Sequence, residues 1–451
     1  MSKSLCEFRV EPAPHTWALA RRKPTGPARR FREEMGLPVD VPLVLSGHQA
    51  ELWHGGILAK HFASEAFAAR SGAATAWLVV DQDEAEDPSL LVPVRDAAGQ
   101  LRAWRWKWAE GFGRVAAAVQ PVQPEEAKLE DGSRWALETV GARLAAVRAA
   151  LRASAASSWS GQVSFAAAQL LKDAAPVPQF VYESRLASTE LFRAVVGALA
   201  RETAEAIGGY NGSIAGSNDS GMRALDQSLG ELPLWSIKSG RRQRVLARDL
   251  PNLDPSTLAP RGMLMTALLR LAGCELFVHG LGGGAYDLAT ERWVQSWTGE
   301  LARIAQDFGG GGAPAPMVVA SADLRLPLAT AQVATEQEIG RAVWLAHRAR
   351  HDPALLNDAA AGRQKAAILE QIAAHKRAGE TPAAAFAELH ALLERARSQG
   401  AGVLGALEAN AARLHGQRAE ALLAFSRTWS FALQTPESIG AMFEKAKSVF
   451  A

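Results

Sequence analysis

Short apolar segments alternate with longer amphipathic segments over most of the chain. The apolar segments show little period-two alternation, as expected of strands that are buried on both faces. We predict strands at residues 41–45, 75–80, 180–182, 276–278 and 317–319. Helical periodicity lies between many of them, at residues 57–70, 134–152, 190–207, 263–271 and 287–308. This alternation predicts an α/β fold with a mostly parallel sheet.

The strand signal stops near residue 333, and the remaining chain has only helical periodicity. In the run AAFAELHALLER the apolar residues return every three or four positions, as on one face of a helix. We therefore predict a helical domain or antiparallel coiled-coil hairpin at 334–451. The predicted domains are an N-terminal arm at 1–40, an α/β core at 41–333 with helical insertions at about 125–210, and this helical domain.

Composition and charge exclude several classes of protein. The chain has 49 Lys+Arg and 47 Asp+Glu residues, which gives a net charge of +2. The overall charge therefore does not favour nucleic acid or a membrane surface as a partner. The two cysteines, Cys6 and Cys274, lie far apart, which excludes a disulfide scaffold and a cysteine zinc site. The N-terminus has no apolar signal core, and no apolar run approaches the ~20 residues of a membrane helix. We expect a cytoplasmic protein.

Basic residues cluster near the N-terminus despite the balanced total charge. Proline and glycine interrupt the cluster, so we expect a solvated surface arm, and anion binding remains the alternative. The cluster consists of Arg21, Arg22, Lys23, Arg29, Arg30 and Arg32.

The segment LVLSGHQAELWHGGILAK, residues 43–60, is the first that could carry chemistry. A strand that ends at Ser46-Gly47, followed by a helix near Gly56, predicts free backbone N–H groups and the positive end of a helix dipole. This arrangement suits an anionic ligand. His48 is the best candidate for general acid/base catalysis, with Gln49 beside it, because the pKa of histidine is near ~6.5. The alternative is a structural turn in which these side chains only satisfy loop carbonyls.

Further histidines in this segment raise the question of a metal. His48, His54 and His61 have spacings that match no common zinc pattern, and no cysteine accompanies them. We therefore predict no metal site. We expect His54 to line a pocket and His61 to lie on a partly exposed helix face.

An acidic run, DQDEAED, follows the strand at 75–80. Its spacing does not fit a calcium loop, because glycine is missing at the sixth place and glutamate at the twelfth. Asp81 and Asp83 are candidates to bind a ribose hydroxyl, a substrate ammonium or a Mg²⁺ held through phosphates, and they are predicted catalytic residues. The alternative for them is a structural role. The later acids of the run are expected to form a solvated loop.

The third segment, from Arg261 to Asp287, contains the glycine turn GLGGGAYD after a strand. Gly280-x-Gly282-x-x-Ala285 matches the dinucleotide fingerprint formally, but no strand that ends in an acid follows about 20 residues later. His279 ends the strand as His48 ends the earlier one, and Tyr286 and Asp287 open the next helix. Arg261 could bind an anion, or it could pair with a carboxylate.

These segments resemble the cysteine-adding enzyme family of bacillithiol biosynthesis, in a divergent form. The family motif TGQQ-x-G-L-F-x-G-P-L is similar to SGHQAELWHGGI at 46–57, which contains Gly47, His54 and Gly55. Here His48 replaces the first glutamine, Glu51 a glycine and Gly56 the proline.

The other two motifs of the family also have counterparts. The acidic motif W-V-A-x-E-D-H-D is similar to WLVVDQDE at 77–84, with Asp81 on the glutamate and Asp83 on the histidine. The turn V-G-G-P-x-E-x-A-Y resembles residues 278–286, where Val278, Gly280, Ala285 and Tyr286 match. The resemblance covers roughly 41–110 and 255–330.

The resemblance implies a Rossmann-like core, a coiled-coil C-terminal region and a ligase that joins an amine to a cysteine-like or other carboxylate-containing substrate. A nucleotide, ATP or ADP, is the implied cofactor candidate. The expected partners are a small anionic substrate and a second copy of the chain, bound through the helical domain. Two alternatives remain, an NAD(P)-dependent oxidoreductase that uses the turn at 280–285, and a non-catalytic scaffold that acts through the helical hairpin.

Overall fold

The fold is described from a computed structural model, which covers residues 6–20, 24, 26–85, 88–108, 115–116, 120–215, 222–309, 312–328 and 333–451. Residues 21–23 of the basic cluster lie outside these ranges. The strands are β1 Cys6–Glu11, β2 Leu43–Gln49, β3 Ala74–Val80, β4 Glu84–Ala85, β5 Ser89–Arg95, β6 Leu101–Lys107, β7 Val115–Ala116, β8 Arg134–Trp135, β9 Phe180–Tyr182, β10 Glu231–Lys238, β11 Arg241–Leu246, β12 Leu258–Pro260, β13 Leu276–His279 and β14 Met317–Leu324.

Helices connect these strands and dominate the C-terminal part of the described chain. The α-helices are α1 Gly26–Met35, α2 Gly55–Ser71, α3 Glu138–Ala153, α4 Trp159–Leu171, α5 Glu190–Arg201, α6 Thr203–Ile214, α7 Gly262–Leu268, α8 Gly283–Gln295, α9 Gly299–Gly309, α10 Glu336–Ala349, α11 Ala359–Arg377, α12 Ala383–Gln399, α13 Ala401–Ala424 and α14 Pro436–Phe450. A 3₁₀ helix at Glu183–Ser188 follows β9, and a π-helical turn at Leu269–Gly273 continues α7.

The main sheet has six strands in the order β1-β14-β13-β2-β3-β9. All neighbouring pairs in it are parallel except β1 and β14. The predicted α/β fold with a mostly parallel sheet is thereby confirmed, and the carboxyl ends of the parallel strands β2, β3 and β13 lie at one edge of the sheet. Three smaller sheets, β11-β10-β12, β4-β7 and β6-β5-β8, are formed by the inserted segments.

The strand order reverses beside β2. From β2 the chain proceeds through α2 to β3 and later to β9 on one side, whereas β13 and β14 are added on the other side. In open α/β sheets, ligands bind outside the carboxyl ends of the strands at such a switch point. The topology therefore predicts a ligand site at the loops that follow β2 and β13.

β2 is longer than the sequence predicted. We expected the strand to end at Ser46-Gly47, but its pairing with β3 continues through Gly47↔Leu78, His48↔Val79 and Gln49↔Val80. The apolar pattern did not show this extension, because the additional pairs rest on backbone hydrogen bonds and not on apolar side chains. His48 and Gln49 thus belong to a paired strand.

Residues 1–40 do not form a separate arm. β1 pairs with β14 along its full length, and α1 buries Phe31 and Met35 in the core. Arg32, expected on a solvated arm, is fully buried, and its Nη2 lies 2.5 Å from Glu275 Oε2. The prediction was wrong here because the partner of Arg32 is 243 residues away in sequence.

The chain divides into two compact units. Unit 1 comprises residues 1–99, 103–327 and 426–451, and unit 2 comprises residues 100–102 and 328–425. The predicted helical domain at 334–451 is therefore too long. Its last helix, α14, belongs to unit 1, because Phe450 packs on Trp17 with ring centroids 4.8 Å apart and Phe443 packs on Phe62 at 5.2 Å.

Unit 2 consists mainly of α10 to α13. Helix α10 packs with α13 and α11 with α12, and the second pair buries Ile368, Ile372 and Leu392. Phe386 of α12 is 40% exposed. Among the described residues of both units, no helix has the length and apolar character needed to cross a membrane.

The buried pair of Arg32 and Glu275 provides a test of this core. Replacing Arg32→Met leaves the Glu275 carboxylate buried without its cation, so the free energy of unfolding should fall by about 3–5 kcal/mol. Arg30→Met is the matched control, because the ion pair of Arg30 with Glu190 is exposed, and its loss should cost at most about 1 kcal/mol. Urea unfolding measures the free energy of unfolding of both variants, and equal losses in the two would contradict the burial of the Arg32–Glu275 pair.

Candidate functional site

A cavity of about 560 Å³ opens at the carboxyl edge of the main sheet, where the strand order reverses. It lies within unit 1. Most of the predicted site residues line it, namely Gly47, His48, Gln49, His54, Asp83, His279, Gly280, Gly282 and Tyr286. Segments that are distant in sequence therefore meet at one place, as the strand pattern predicted.

The carboxyl end of β2 forms one wall of the cavity. Gly47 is required there by close packing, since a Cβ atom would lie only 2.5 Å from the Leu78 carbonyl oxygen of β3. The next residue, His48, lines the cavity, and its Nδ1 lies 3.3 Å from Glu51 Oε1. Burial, followed by the charge of Lys60, lowers the pKa of His48, while Glu51 opposes this shift. The imidazole is therefore held mainly in its neutral, proton-accepting form near neutral pH.

The N-termini of two helices border the same cavity. α2 begins after His54, whose Nδ1 accepts a hydrogen bond of 3.0 Å from the Gly56 backbone N–H. α8 begins after the turn in which the Gly283 N–H donates to the Gly280 carbonyl at 3.0 Å. The positive ends of both helix dipoles thus act on the cavity, which favours an anion there.

Lys60 is a functional candidate that the sequence interpretation missed. It lies on α2 and lines the cavity, and its Nζ donates to the Gly47 carbonyl and lies 5.2 Å from the Trp77 ring centroid. Burial lowers the pKa of Lys60 from 10.5 to about 7. A lysine with this pKa exchanges its proton near neutral pH and gains charge readily when an anion binds. In sequence, Lys60 lies in an apolar helix with nothing to distinguish it from a surface residue.

Glu183 and Gln82 line another part of the cavity and were also missed. Glu183 begins the 3₁₀ helix after β9, and it accepts a hydrogen bond from the Gln82 backbone. Burial, followed by the charge of Asp81, raises the pKa of Glu183 to about 8. Its Oε2 and the Gln82 Oε1 are buried without a hydrogen-bond partner in the described part of the chain. Only the three-dimensional structure shows that these two acceptors share a cavity.

The two predicted aspartates have different surroundings. Asp81 lies outside the cavity lining, and its carboxylate accepts hydrogen bonds of 2.8 and 2.7 Å from the Ser184 N–H and hydroxyl. Its role is therefore structural, since it holds the turn after β9. Asp83 lines the cavity, pairs with Arg242 and accepts a 3.0 Å hydrogen bond from Gln49 Nε2. The catalytic role predicted for Asp81 has no support in this geometry.

Arg261, Asp287 and Gly55 also lie outside the cavity lining. Arg261 Nη2 donates to Glu231 Oε1 at 2.6 Å, and its guanidinium lies 4.0 Å from the Trp235 ring centroid. Of the two roles considered for Arg261, pairing with a carboxylate is the one observed, so the predicted anion clamp is corrected. The buried carboxylate of Glu231, 30 residues earlier in the chain, already compensates the charge of Arg261.

The remaining predicted residues support the cavity from outside. Asp287 is fully buried, and its Oδ2 lies 2.9 Å from His279 Nε2. Gly55 permits the close approach of Leu324, because a Cβ atom at this position would collide with the leucine side chain. His61, which we expected on a partly exposed face, is buried and bonds to the Pro176 carbonyl at 2.8 Å.

Arg427 adds a cation from the C-terminal part of unit 1. It lines the cavity, and its Nη1 donates to Asp323 Oδ1 at 3.0 Å while Nη2 lies 3.4 Å from Ser321 Oγ. Its charge contributes, after burial, to lowering the pKa of His54. The sequence did not predict this residue, because it is 104 positions from its partner Asp323 and lies in a segment that we assigned to another domain.

Comparison with family models and with curated proteins gives no match for this chain. The arrangement itself combines helix N-termini, a buried lysine, a neutral histidine and two buried acceptors without partners. Such a cavity can hold an anionic group and can transfer protons near neutral pH.

The lowered pKa of Lys60 predicts a specific dependence of stability on pH. Between about pH 7 and 10.5 the unfolded chain binds a proton at Lys60 that the folded chain does not, so this group makes stability rise with pH. Lys60→Met removes this contribution, which amounts to at most about 1.4 kcal/mol per pH unit. The free energy of unfolding of the variant, relative to that of wild type, should therefore be highest near pH 7 and lower at pH 9.

Urea unfolding of both proteins at pH 7, 8 and 9 measures this effect. Lys447→Met is the matched control, because the Lys447 side chain is 48% exposed. The difference in unfolding free energy between the control and wild type should not vary with pH. An identical pH dependence for Lys60→Met and Lys447→Met would show that Lys60 is not buried as described.

Proposed function

We propose that this chain is a divergent relative of the cysteine-adding enzyme family and that it is a condensing enzyme. In this proposal the cavity holds an anionic ligand, phosphorylated or carboxylated, and joins an amine to a carboxylate. The observation that carries the proposal is the convergence of Lys60 and the N-termini of α2 and α8 on one cavity at the switch point of the sheet.

The strand order supports a Rossmann-like description of the core. Strands β9, β3, β2, β13 and β14 follow the order 3-2-1-4-5 of the doubly wound fold, and the antiparallel β1 takes the sixth place. The cavity volume of about 560 Å³ falls in the range of sites for small molecules and cofactors. Both observations favour ATP or ADP as the cofactor candidate, and a cytoplasmic location is consistent with such a ligand.

The cavity residues can perform the proton transfers of a condensation. Joining an amine to a carboxylate breaks one carbon–oxygen bond of the carboxylate, and a nucleoside triphosphate, when bound, would supply the phosphoryl group with which this oxygen leaves. In this proposal His48, which its lowered pKa keeps neutral near pH 7, serves as a proton acceptor in the cavity. Lys60 and the helix N-termini hold the anionic group.

The oxidoreductase alternative has weaker support. In dinucleotide-binding folds the glycine fingerprint lies in the first strand–helix turn. Here Gly280-x-Gly282 follows β13, which corresponds to the fourth strand of that order, whereas the turn after β2 carries Gly47 and His48. The condensing enzyme is therefore the function that we propose.

A thermal-shift panel of ATP, ADP, NAD, NADP and L-cysteine tests this function. We expect ATP or ADP to stabilise the fold, by about 2.7 kcal/mol at roughly 100 times its Kd. Lys60→Met and His48→Asn should each weaken that binding by roughly 1.5–3 kcal/mol, since each removes a polar contact. Lys447→Met is the exposed control and should bind as wild type does.

The results separate the alternatives. Stabilisation by NAD or NADP alone would support the oxidoreductase, and the absence of any stabilising ligand would support the scaffold. Binding that is insensitive to both Lys60→Met and His48→Asn would place the ligand outside this cavity.

We further propose that the coiled-coil-like unit 2 forms a homodimer contact. This unit exposes large apolar side chains, which single-chain surfaces rarely carry together. They include Val343, Trp344, Leu369, Phe386, Leu422 and Phe425. Trp344, 59% exposed, and Leu422, 62% exposed, are the strongest candidates for this contact.

The variant Trp344→Glu/Leu422→Glu tests this contact. A charge at each position should prevent apolar burial between two copies, so light scattering should show a dimer for wild type and a monomer for the variant. Glu336→Gln, at a side chain that is 87% exposed, is a control within the same unit. A monomeric wild-type protein would contradict the proposed dimer.

A further inference from the structure

Two buried oxygen atoms in the cavity lack hydrogen-bond partners among the described residues. Glu183 is 3% exposed and Gln82 is 9% exposed, and both line the cavity. The Glu183 Oε2 and Gln82 Oε1 atoms have no hydrogen-bond partner among the described residues. Leaving a buried acceptor without a donor costs roughly 1–3 kcal/mol. Such atoms in a cavity mark a place where a ligand supplies the donors.

The neighbouring groups are already engaged elsewhere. The Asp81 carboxylate accepts both hydrogen bonds that Ser184 donates, and the Gln82 backbone N–H is bound to Glu183. Burial raises the pKa of Tyr286 well above its usual value, so this phenol remains neutral. Unlike the Asp81 carboxylate, Glu183 therefore still has an oxygen atom that a ligand can contact.

A primary ammonium group matches these two acceptors best. It offers three N–H donors from one atom, so a single nitrogen can serve both oxygen atoms. Its positive charge also compensates a carboxylate, which a hydroxyl group cannot do. A Ca²⁺ ion is a poorer match, because two oxygen ligands are far fewer than the six to eight that it takes.

We propose that Glu183 and Gln82 form an ammonium-binding subsite for the amine substrate. This inference rests on the proposed function, because it assigns the amine to the same cavity that holds the anion. Glu183 follows β9, whereas Lys60 contacts β2 and α8 follows β13, two and three strands away. With a strand spacing near 4.8 Å, the amine and the anion lie about 10–15 Å apart. The substrate is then an extended molecule with an amine at one end and an anionic group at the other.

The subsite also accounts for the removal of the first proton from the ammonium group of the substrate. At pH 7 the free Glu183 carboxyl holds a proton, because burial and Asp81 raise its pKa to about 8. A bound ammonium stabilises the carboxylate, so binding releases this proton. The carboxylate then takes one proton from the ammonium to give the neutral amine.

Matched ligands isolate the effect of the amine. The probes are ω-aminoalkyl phosphates of increasing chain length, each paired with the ω-hydroxyalkyl phosphate of the same length. Lys60, His48 and His279 also line the cavity, but their response to the phosphate is common to both members of a pair. We expect wild type to bind the amine at least about tenfold more tightly, with an optimum at a length that spans roughly 10–15 Å.

Calorimetry with Glu183→Gln provides the decisive comparison. At pH 7, in two buffers of different ionisation enthalpy, wild type should release up to one proton more with the amine than with the hydroxyl probe. Glu183→Gln keeps the shape but not the charge, so it should lose both the preference and the proton release while still binding the hydroxyl probe. Gln82→Met removes the second acceptor and should reduce the preference, and Glu336→Gln should behave as wild type.

The outcomes distinguish this inference from the proposed function. If the hydroxyl probes bind wild type and the amines have no advantage, the ammonium subsite is wrong and the anion cavity remains. If Glu183→Gln or Gln82→Met folds and retains the full preference, the amine binds elsewhere and the subsite is also wrong. If no phosphate of either series binds at any length, the subsite and the proposed function are both wrong.

Discussion

The site depends on the position of β2 between two parallel partners. Because β3 and β13 both run in its direction, three strand ends meet at one edge, and the helices that follow β2 and β13 begin there. The contact of Gly47 with Leu78 keeps β2 and β3 close up to this edge. This arrangement brings together Lys60, which α2 carries, and Glu183, which follows β9 on the far side of β3.

The buried ionisable groups explain why such a site remains compatible with a stable core. Burial lowers the pKa of Lys60 to about 7 and raises that of Glu183 to about 8, so both groups approach neutrality at physiological pH. A neutral group avoids most of the desolvation penalty that a buried charge carries. A ligand with an anion and an ammonium would restore both charges, each beside its counter-ion. Binding of such a ligand would thus bring Lys60 and Glu183 to their charged forms.

The sequence predicted the fold class and the region of the site better than the individual roles. Apolar segments followed by polar residues gave the strands, and parallel pairing then brought His48, Asp83 and His279 to one cavity. Lys60 was missed because a buried lysine in a helix has no local signature. Glu183 was missed because its surroundings depend on the distant segment around Asp81. These are tertiary effects, which a linear pattern does not contain.

The wrong assignments share one physical cause. Arg32, Arg261 and Asp81 were all conspicuous charges beside turns or strand ends, and each has a partner at least 30 positions away that satisfies it. A charge that is fully paired within the protein has little left to offer a ligand. Glu183 differs from them because one of its oxygens still has no donor among the described residues. In this cavity, the capacity to bind a ligand therefore follows from the polar atoms that the protein itself leaves unsatisfied, and only secondarily from the type of residue that carries them.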